Sequence, residues 1–131
     1  MQFDHDKLDA YRIAVDLAAA AEDIVAALPP GRAYLADQLR RASTSVPFNV
    51  AEGAGEFTRR DKARFYRIAR RSGTESAAIL DVCLRLRLVE RPAYENCRAL
   101  LFRVVCTLTQ LVRALTKPGR GTGTGTFTGA G

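Results

Sequence analysis

The side chains best suited to chemistry in this sequence are arginines, and they are concentrated in one segment. Residues 59–71 read RRDKARFYRIARR, in which seven of thirteen residues are basic and one is acidic. A helix turns by about 100° per residue, so Arg60, Arg64, Arg67 and Arg71 fall on one narrow stripe, to which Arg85 returns. Guanidinium groups are permanently charged and match the geometry of phosphate. This pattern predicts an anion-binding helix face.

The candidate nucleic-acid-binding set extends this stripe by its flanking arginines. It consists of Arg59, Arg60, Arg64, Arg67, Arg70, Arg71 and Arg85. Local ion pairs cannot neutralise the run, because Asp61 is the only acid within it. A helix face that is merely solvated usually carries both signs of charge. The two alternatives to anion binding are a solvated face and a face that pairs with acids of a neighbouring subunit.

Residues for catalysis or metal binding are scarce by comparison. The single histidine, His5, lies near the N-terminus, which leaves few schemes for a metal site or a general base. The stretch Gly53-Ala54-Gly55 has neither the preceding strand nor the Gly-Lys-Ser/Thr ending of a phosphate loop. We read it as the end of a helix, made by glycine with a positive φ. We therefore expect no catalytic residues, no metal and no cofactor.

Several polar residues fall near predicted apolar faces and need partners there. Asn49, Ser72 and Ser76 have this position, with Glu52 and Glu75 close to the same helix ends. We predict a polar network that ties the second helix to the third. A catalytic pair of carboxylates is the less favoured reading, because no nucleophile or histidine accompanies it.

Four amphipathic segments without a strand signal define the fold class. They cover about residues 6–28, a segment from about residue 32, a helix capped by Thr58, and a helix that opens after Arg91. Short connections favour antiparallel neighbours. We predict an all-α protein, an antiparallel up-down four-helix bundle over residues 1–117. A flexible tail rich in glycine and threonine is expected over 118–131.

Composition and charge bound the function further. The chain has 131 residues and a formal net charge of +6, with the excess of acids confined to residues 1–28. A basic protein of this kind favours polyanionic partners. The three cysteines form no C-x-x-C pair and are expected to be buried in a reducing compartment. With no signal-peptide core and no membrane span in the pattern, we expect a cytoplasmic protein.

A second apolar stripe on two helices predicts self-association. The fourth helix carries Phe102, Val105 and Val112 away from its main Leu101–Leu108–Leu115 seam. The first helix carries Ile13, Leu17 and Ile24 beside its Tyr11–Val15–Val25 face. A monomer would expose such stripes as an apolar patch. We therefore predict that these six residues form the interface of a closed homo-oligomer.

The middle of the sequence resembles the family of four-helix-bundle proteins encoded in 23S rRNA intervening sequences. The matching residues are Gln38 to Ala42, Ser45-Val46, Asn49 to Gly53, and Phe65, Ile68, Ala69, Ser72 and Glu75. The resemblance implies a ring-like homopentamer with a basic surface. It also implies kinship to the accessory variability determinant of diversity-generating retroelements, which partners a reverse transcriptase and nucleic acid. Glu56 departs from the pattern, which usually has arginine after the glycine.

Together these features predict a non-enzymatic, oligomeric protein that binds the backbone of RNA or DNA through the basic face of its third helix. The alternative is a protein-binding scaffold or accessory subunit, for example of a reverse transcriptase. An enzyme such as a nuclease is disfavoured by the missing metal ligands and bases.

Overall fold

The computed structural model describes residues 1–118 of the chain. A short 3-10 helix, Asp4–Lys7, precedes four α-helices: α1 (Asp9–Ala26), α2 (Ala33–Ala54), α3 (Arg59–Arg85) and α4 (Arg91–Thr116). No β-strand occurs within these residues. The predicted flexible tail, apart from Pro118, lies outside the described part of the chain.

The four helices form a bundle in which neighbours in sequence are neighbours in space. α1 packs against α2, α2 against α3 and α3 against α4, and α4 closes the bundle by packing against α1. The connections at residues 27–32, 55–58 and 86–90 are short, so successive helices run in opposite directions. The predicted antiparallel up-down four-helix bundle is confirmed.

The apolar face of α2 follows the sequence pattern, and that of α4 follows the predicted seam as far as Leu108, beyond which Val112 is buried and Leu115 is half-buried. Leu35, Leu39, Ala42, Val46 and Val50 of α2 are all buried. On α4, the buried residues are Cys97, Leu101, Val104, Leu108 and Val112. The three- and four-residue spacing therefore identifies the core-facing stripe of both helices.

The buried face of α1 differs from the predicted one. Ile13, Leu17 and Ile24 point into the bundle and are at most 9% exposed, whereas Val15 is 43% exposed. Small residues beside them, Ala10, Ala14 and Ala21, are also fully covered. The prediction that Ile13, Leu17 and Ile24 form a subunit interface is therefore wrong, since the chain buries them in its own core.

The second stripe of α4 is also largely used within one chain. Val112 is buried and Val105 is half-buried against the core, because α4 packs against both α1 and α3. Phe102 alone keeps its predicted exposure, at 68%. Cys106 is exposed as well, which corrects the expectation that all three cysteines are buried.

α4 is long and apolar enough that it could cross a membrane by length and composition alone. The core helix of a bundle has the same two properties. Here the Leu101–Leu108 side of α4 packs in the bundle core, and Arg98, Arg103 and Arg113 interrupt the rest of the helix. We accordingly describe α4 as a core helix.

Candidate nucleic-acid interface

The basic segment occupies the first half of α3, whose start is fixed by a side-chain cap. Thr58 has an extended backbone, and its hydroxyl oxygen accepts a hydrogen bond from the Asp61 amide at 3.0 Å. Such a cap satisfies one of the free N–H groups in the first turn. The predicted cap is confirmed, and it fixes where the arginines begin.

Four arginines line the solvent side of α3 on one stripe, as the spacing predicts. Arg60, Arg64, Arg67 and Arg71 are all exposed, while Ala63, Tyr66 and Ala69 between them are buried. At a rise of about 1.5 Å per residue, this arginine stripe is about 17 Å long. Within residues 1–118, none of its members belongs to an ion pair. Its charge is therefore available to a partner.

Arg64 is additionally oriented by its neighbour in sequence. Its guanidinium carbon lies 4.5 Å from the centroid of the Phe65 ring, within the range of a cation–π contact. This contact leaves Arg64 exposed and still charged. The group is therefore held near the helix surface with its hydrogen-bond donors free.

Two other basic residues of the segment stabilise the fold. Arg59 donates hydrogen bonds from Nη2 to the Ala114 carbonyl at 2.7 Å and from Nε to the Leu115 carbonyl at 3.2 Å. Lys62 donates from Nζ to the Ala54 carbonyl at 2.9 Å. These cations satisfy the free carbonyls at the C-termini of α4 and α2, where the helix dipole favours positive charge.

The two remaining arginines of the predicted nucleic-acid-binding set lie off the arginine stripe or far from it. Arg70 is half-buried, beside the arginine stripe and not on it. Arg85 is exposed, but it lies fourteen residues beyond Arg71, at the opposite end of α3, which corresponds to about 21 Å along the helix axis. The structure therefore brings together Arg60, Arg64, Arg67 and Arg71, separates Arg85 from them, and engages Arg59 elsewhere.

The predicted polar network between α2 and α3 is present. The hydroxyls of Ser45 and Ser72 lie 2.9 Å apart, and Asn49 donates to the Ser45 carbonyl at 2.8 Å and to the Ser45 hydroxyl at 2.9 Å. Ser76 donates to the Ser72 carbonyl. Glu52 and Glu75 are exposed and contribute none of these bonds. The network joins the two helices and contains no carboxylate pair.

The two glycines at the end of α2, Gly53 and Gly55, lack the positive φ that the sequence suggested. Gly53 lies inside α2, and Gly55, the residue after its last turn, has a φ of −84°. In the described part of the chain, the only glycine with a positive φ is Gly31. The helix end is stabilised by Lys62, and Gly53 serves the close approach of α3.

Groups that could support catalysis are sparse among residues 1–118. His5 sits in the 3-10 helix, half-buried, with its ring 4.4 Å from that of Tyr11 and its Nε2 3.6 Å from a carboxylate oxygen of Asp6. The described residues contain no group of three His, Cys, Asp or Glu side chains that could hold a metal ion. The prominent surface chemistry is that of guanidinium groups.

Comparison with protein families assigns the chain to one of them. A model of the 23S rRNA-intervening sequence protein family matches residues 6–110, which include all of α1, α2 and α3 and most of α4. The chain belongs to this family. The match spans the motif of α2 and α3 in which the sequence resemblance was found.

A solved structure of a related fold comes from Bacteroides thetaiotaomicron. It is a protein of unknown function from the S23 ribosomal protein family, with a TM-score of 0.74 and 18% sequence identity. The match covers 79% of this chain and 98% of the other. At this identity the likeness concerns the fold. No curated protein matches the chain with significant similarity.

Proposed function

We propose that this family member is a non-enzymatic nucleic-acid-binding protein that contacts the phosphate backbone of RNA or DNA through the arginine stripe. One observation carries the proposal. Arg60, Arg64, Arg67 and Arg71 are exposed on one line, and no carboxylate among the described residues pairs with them. Like charges three or four residues apart destabilise a helix. A helix face that served only to contact water would gain nothing from carrying them.

The geometry favours backbone contact over base reading. Along one strand of a duplex, phosphates recur every 3.4 Å of helix rise, so a stripe of about 17 Å faces the phosphates of about five steps. The stripe is a row of like cations on a rigid helix, without the mixture of donors and acceptors that would distinguish all four bases. Contacts of this kind fix position on the nucleic acid without specifying sequence.

The direct test compares two variants with the same change in charge. Replacing Arg64, Arg67 and Arg71 with glutamine should reduce affinity for a duplex DNA or RNA oligonucleotide at least tenfold. Each lost charge-assisted contact should weaken the binding free energy by about 1 kcal/mol. The control replaces Arg103, Arg113 and Lys117, which are exposed on or just after α4. Equal losses in both variants, or full binding by the stripe variant, would contradict the proposal.

We also propose that the bundle assembles into a closed homo-oligomer, a pentamer as the family resemblance implies. The support within the chain is Phe102, a large apolar side chain that stays exposed between two surface grooves. Several linked copies of a weak phosphate-binding face would gain avidity without new contacts. Light scattering should show a multimer that Phe102→Glu disrupts. A wild type that is monomeric at micromolar concentration would refute this assembly.

The second candidate function is that of a cytoplasmic scaffold or accessory subunit, for example of a reverse transcriptase. It is favoured by two exposed aromatic rings, Phe48 on α2 and Phe57 in the connection to α3, since aromatic residues are enriched in protein interfaces. Isolation of the native assembly discriminates the two candidates. A nuclease-sensitive complex supports nucleic-acid binding, whereas a defined protein that persists after nuclease treatment supports the scaffold.

A further inference from the structure

A separate cleft opens at the far end of α3, where the chain turns into α4. It has a volume of about 870 Å³ and is lined by the end of α3, the connection 86–90 and the first turns of α4. Four arginines line this cleft: Arg85, Arg87, Arg91 and Arg98. The arginine stripe spreads its charges along a line, whereas these four surround one space.

Asp81 offsets the charge of Arg98, which binds it, and leaves the charges of the other three arginines. Arg98 donates from Nε to Oδ1 at 2.9 Å and from Nη2 to Oδ2 at 3.3 Å, and the Tyr94 hydroxyl donates to Oδ1 at 2.7 Å. Although partial burial opposes the shift, the hydrogen bonds from Arg98 and Tyr94 hold the pKa of Asp81 below its usual value. This carboxylate is therefore an ionised, fully engaged part of the wall.

The arginines nearer the connection 86–90 form at most one weak ion pair. Arg91 meets Glu95 at 3.6 Å, with both side chains more than half exposed, so this ion pair contributes little. Neither Arg85 nor Arg87 belongs to an ion pair within residues 1–118. Glu90 is the remaining acid of the lining. Three guanidinium groups thus remain able to turn toward a ligand.

Arg87 occupies a backbone position that normally belongs to glycine. Its φ is 62°, and it is the only residue other than glycine with a positive φ in the described part of the chain. The Arg87 amide donates to the Leu84 carbonyl and the Leu88 amide donates to the Cys83 carbonyl, both at 2.9 Å. These two bonds form a Schellman motif, the usual way to end an α-helix at a residue with positive φ. An arginine there costs stability that glycine would not. Strained backbone positions are often found at functional sites, and here the strained residue brings a guanidinium group to the cleft.

We propose that the α3–α4 cleft binds a phosphate monoester group through Arg85, Arg87 and Arg91, with Arg98 held in the wall by Asp81. A monoester is a dianion with three acceptor oxygens on one atom, and several guanidinium groups around one space can bind such concentrated charge. The 5′ end of a nucleic acid and a free nucleotide both carry such a group, and inorganic phosphate shares its charge and acceptor oxygens. The proposal does not depend on nucleic-acid binding by the arginine stripe.

Calorimetry with inorganic phosphate and with adenosine 5′-monophosphate tests the site in the full-length protein. We expect saturable binding that Arg85→Gln with Arg91→Gln weakens about tenfold or more. The matched control, Arg103→Gln with Arg113→Gln, should bind as the wild type does. Arg87→Gly should also weaken binding while raising the thermal midpoint, which separates loss of the site from loss of the fold. Equal weakening in the control variant would overturn the proposal.

A second arm identifies the source of the phosphate group. If it is a nucleic-acid end, a 5′-phosphorylated single strand should bind more tightly than the same strand with a 5′-hydroxyl, and the cleft variant should remove this preference. The stripe variant should keep the preference while binding both strands more weakly. The absence of saturable binding of either small phosphate, together with equal affinity for the two strands, would refute the cleft. That result would leave the function of the arginine stripe untouched.

Discussion

The ring of Tyr66 on α3 lies directly against the backbone of Gly53 on α2. A Cβ atom at Gly53 would come within 2.7 Å of the ring and within 3.2 Å of the Lys62 carbonyl oxygen. Tyr66 is itself buried, at 4% exposure, so the ring has little room to move. The start of α3, and with it the arginine stripe, is therefore positioned by a glycine in the preceding helix.

Gly53→Ala should destabilise the protein although alanine is the better helix former. Overpacking of a buried contact costs about 1–3 kcal/mol, which should outweigh the gain in helix propensity. The matched control is Gly55→Ala, where the nearest atoms to a Cβ lie at an ordinary 3.7 Å and φ is −84°. Urea unfolding should show a lower midpoint for the first variant and an unchanged or higher one for the second. The opposite order would mean that α2 and α3 do not approach as described.

Two positions with left-handed backbone predict opposite effects. Arg87→Gly should stabilise the protein by about 1 kcal/mol, because it removes the clash between Cβ and carbonyl at a φ of 62°. Gly31→Ala should destabilise it by about the same amount, since Gly31 has a φ of 91° with open space around it. Chemical unfolding measures both. A loss of stability in Arg87→Gly would show that the arginine side chain contributes more to the fold than its backbone costs.

The three cysteines should differ sharply in reactivity. Burial raises the pKa of the Cys97 thiol to about 11 and also raises that of Cys83, so both stay protonated and covered at pH 8. Cys106 is exposed. Mass spectrometry after treatment with N-ethylmaleimide should therefore find one label on the native wild type and none on Cys106→Ser. Two or three labels on the native wild type would contradict the packing of α3 and α4.

The sequence predicts the fold well where one apolar stripe stands alone, and poorly where two compete. On α2, Leu39 lies between Gln38 and Arg40, so only one face of the helix can be buried there. On α1, the apolar and alanine positions cover more than one face, and periodicity alone cannot decide between Val15 and Leu17. Packing against α2 and α4 decides it, burying Leu17 fully. The α1 part of the predicted subunit interface, Ile13, Leu17 and Ile24, is wrong for this reason.

The candidate site shows the same division. Stripe members such as Arg64 and Arg67 follow from helix geometry alone, because exposure depends only on the face that they occupy. The capping roles of Arg59 and Lys62 depend on where α4 and α2 end in space, which local sequence does not contain. The α3–α4 cleft likewise arises from the meeting of Asp81 with Arg98, seventeen positions later in the chain.

The salt dependence of nucleic-acid affinity tests the central proposal most directly. Each phosphate neutralised on duplex DNA contributes about −0.9 to the slope of log affinity against log salt concentration, so four arginines of one protomer predict about −3.6. The variant with Arg64, Arg67 and Arg71 replaced by glutamine should lose about 2.7 of that slope, whereas the variant of Arg103, Arg113 and Lys117 should keep it. Equal slopes for the wild type and the stripe variant, or a wild-type affinity that does not change with salt, would contradict phosphate binding by the arginine stripe.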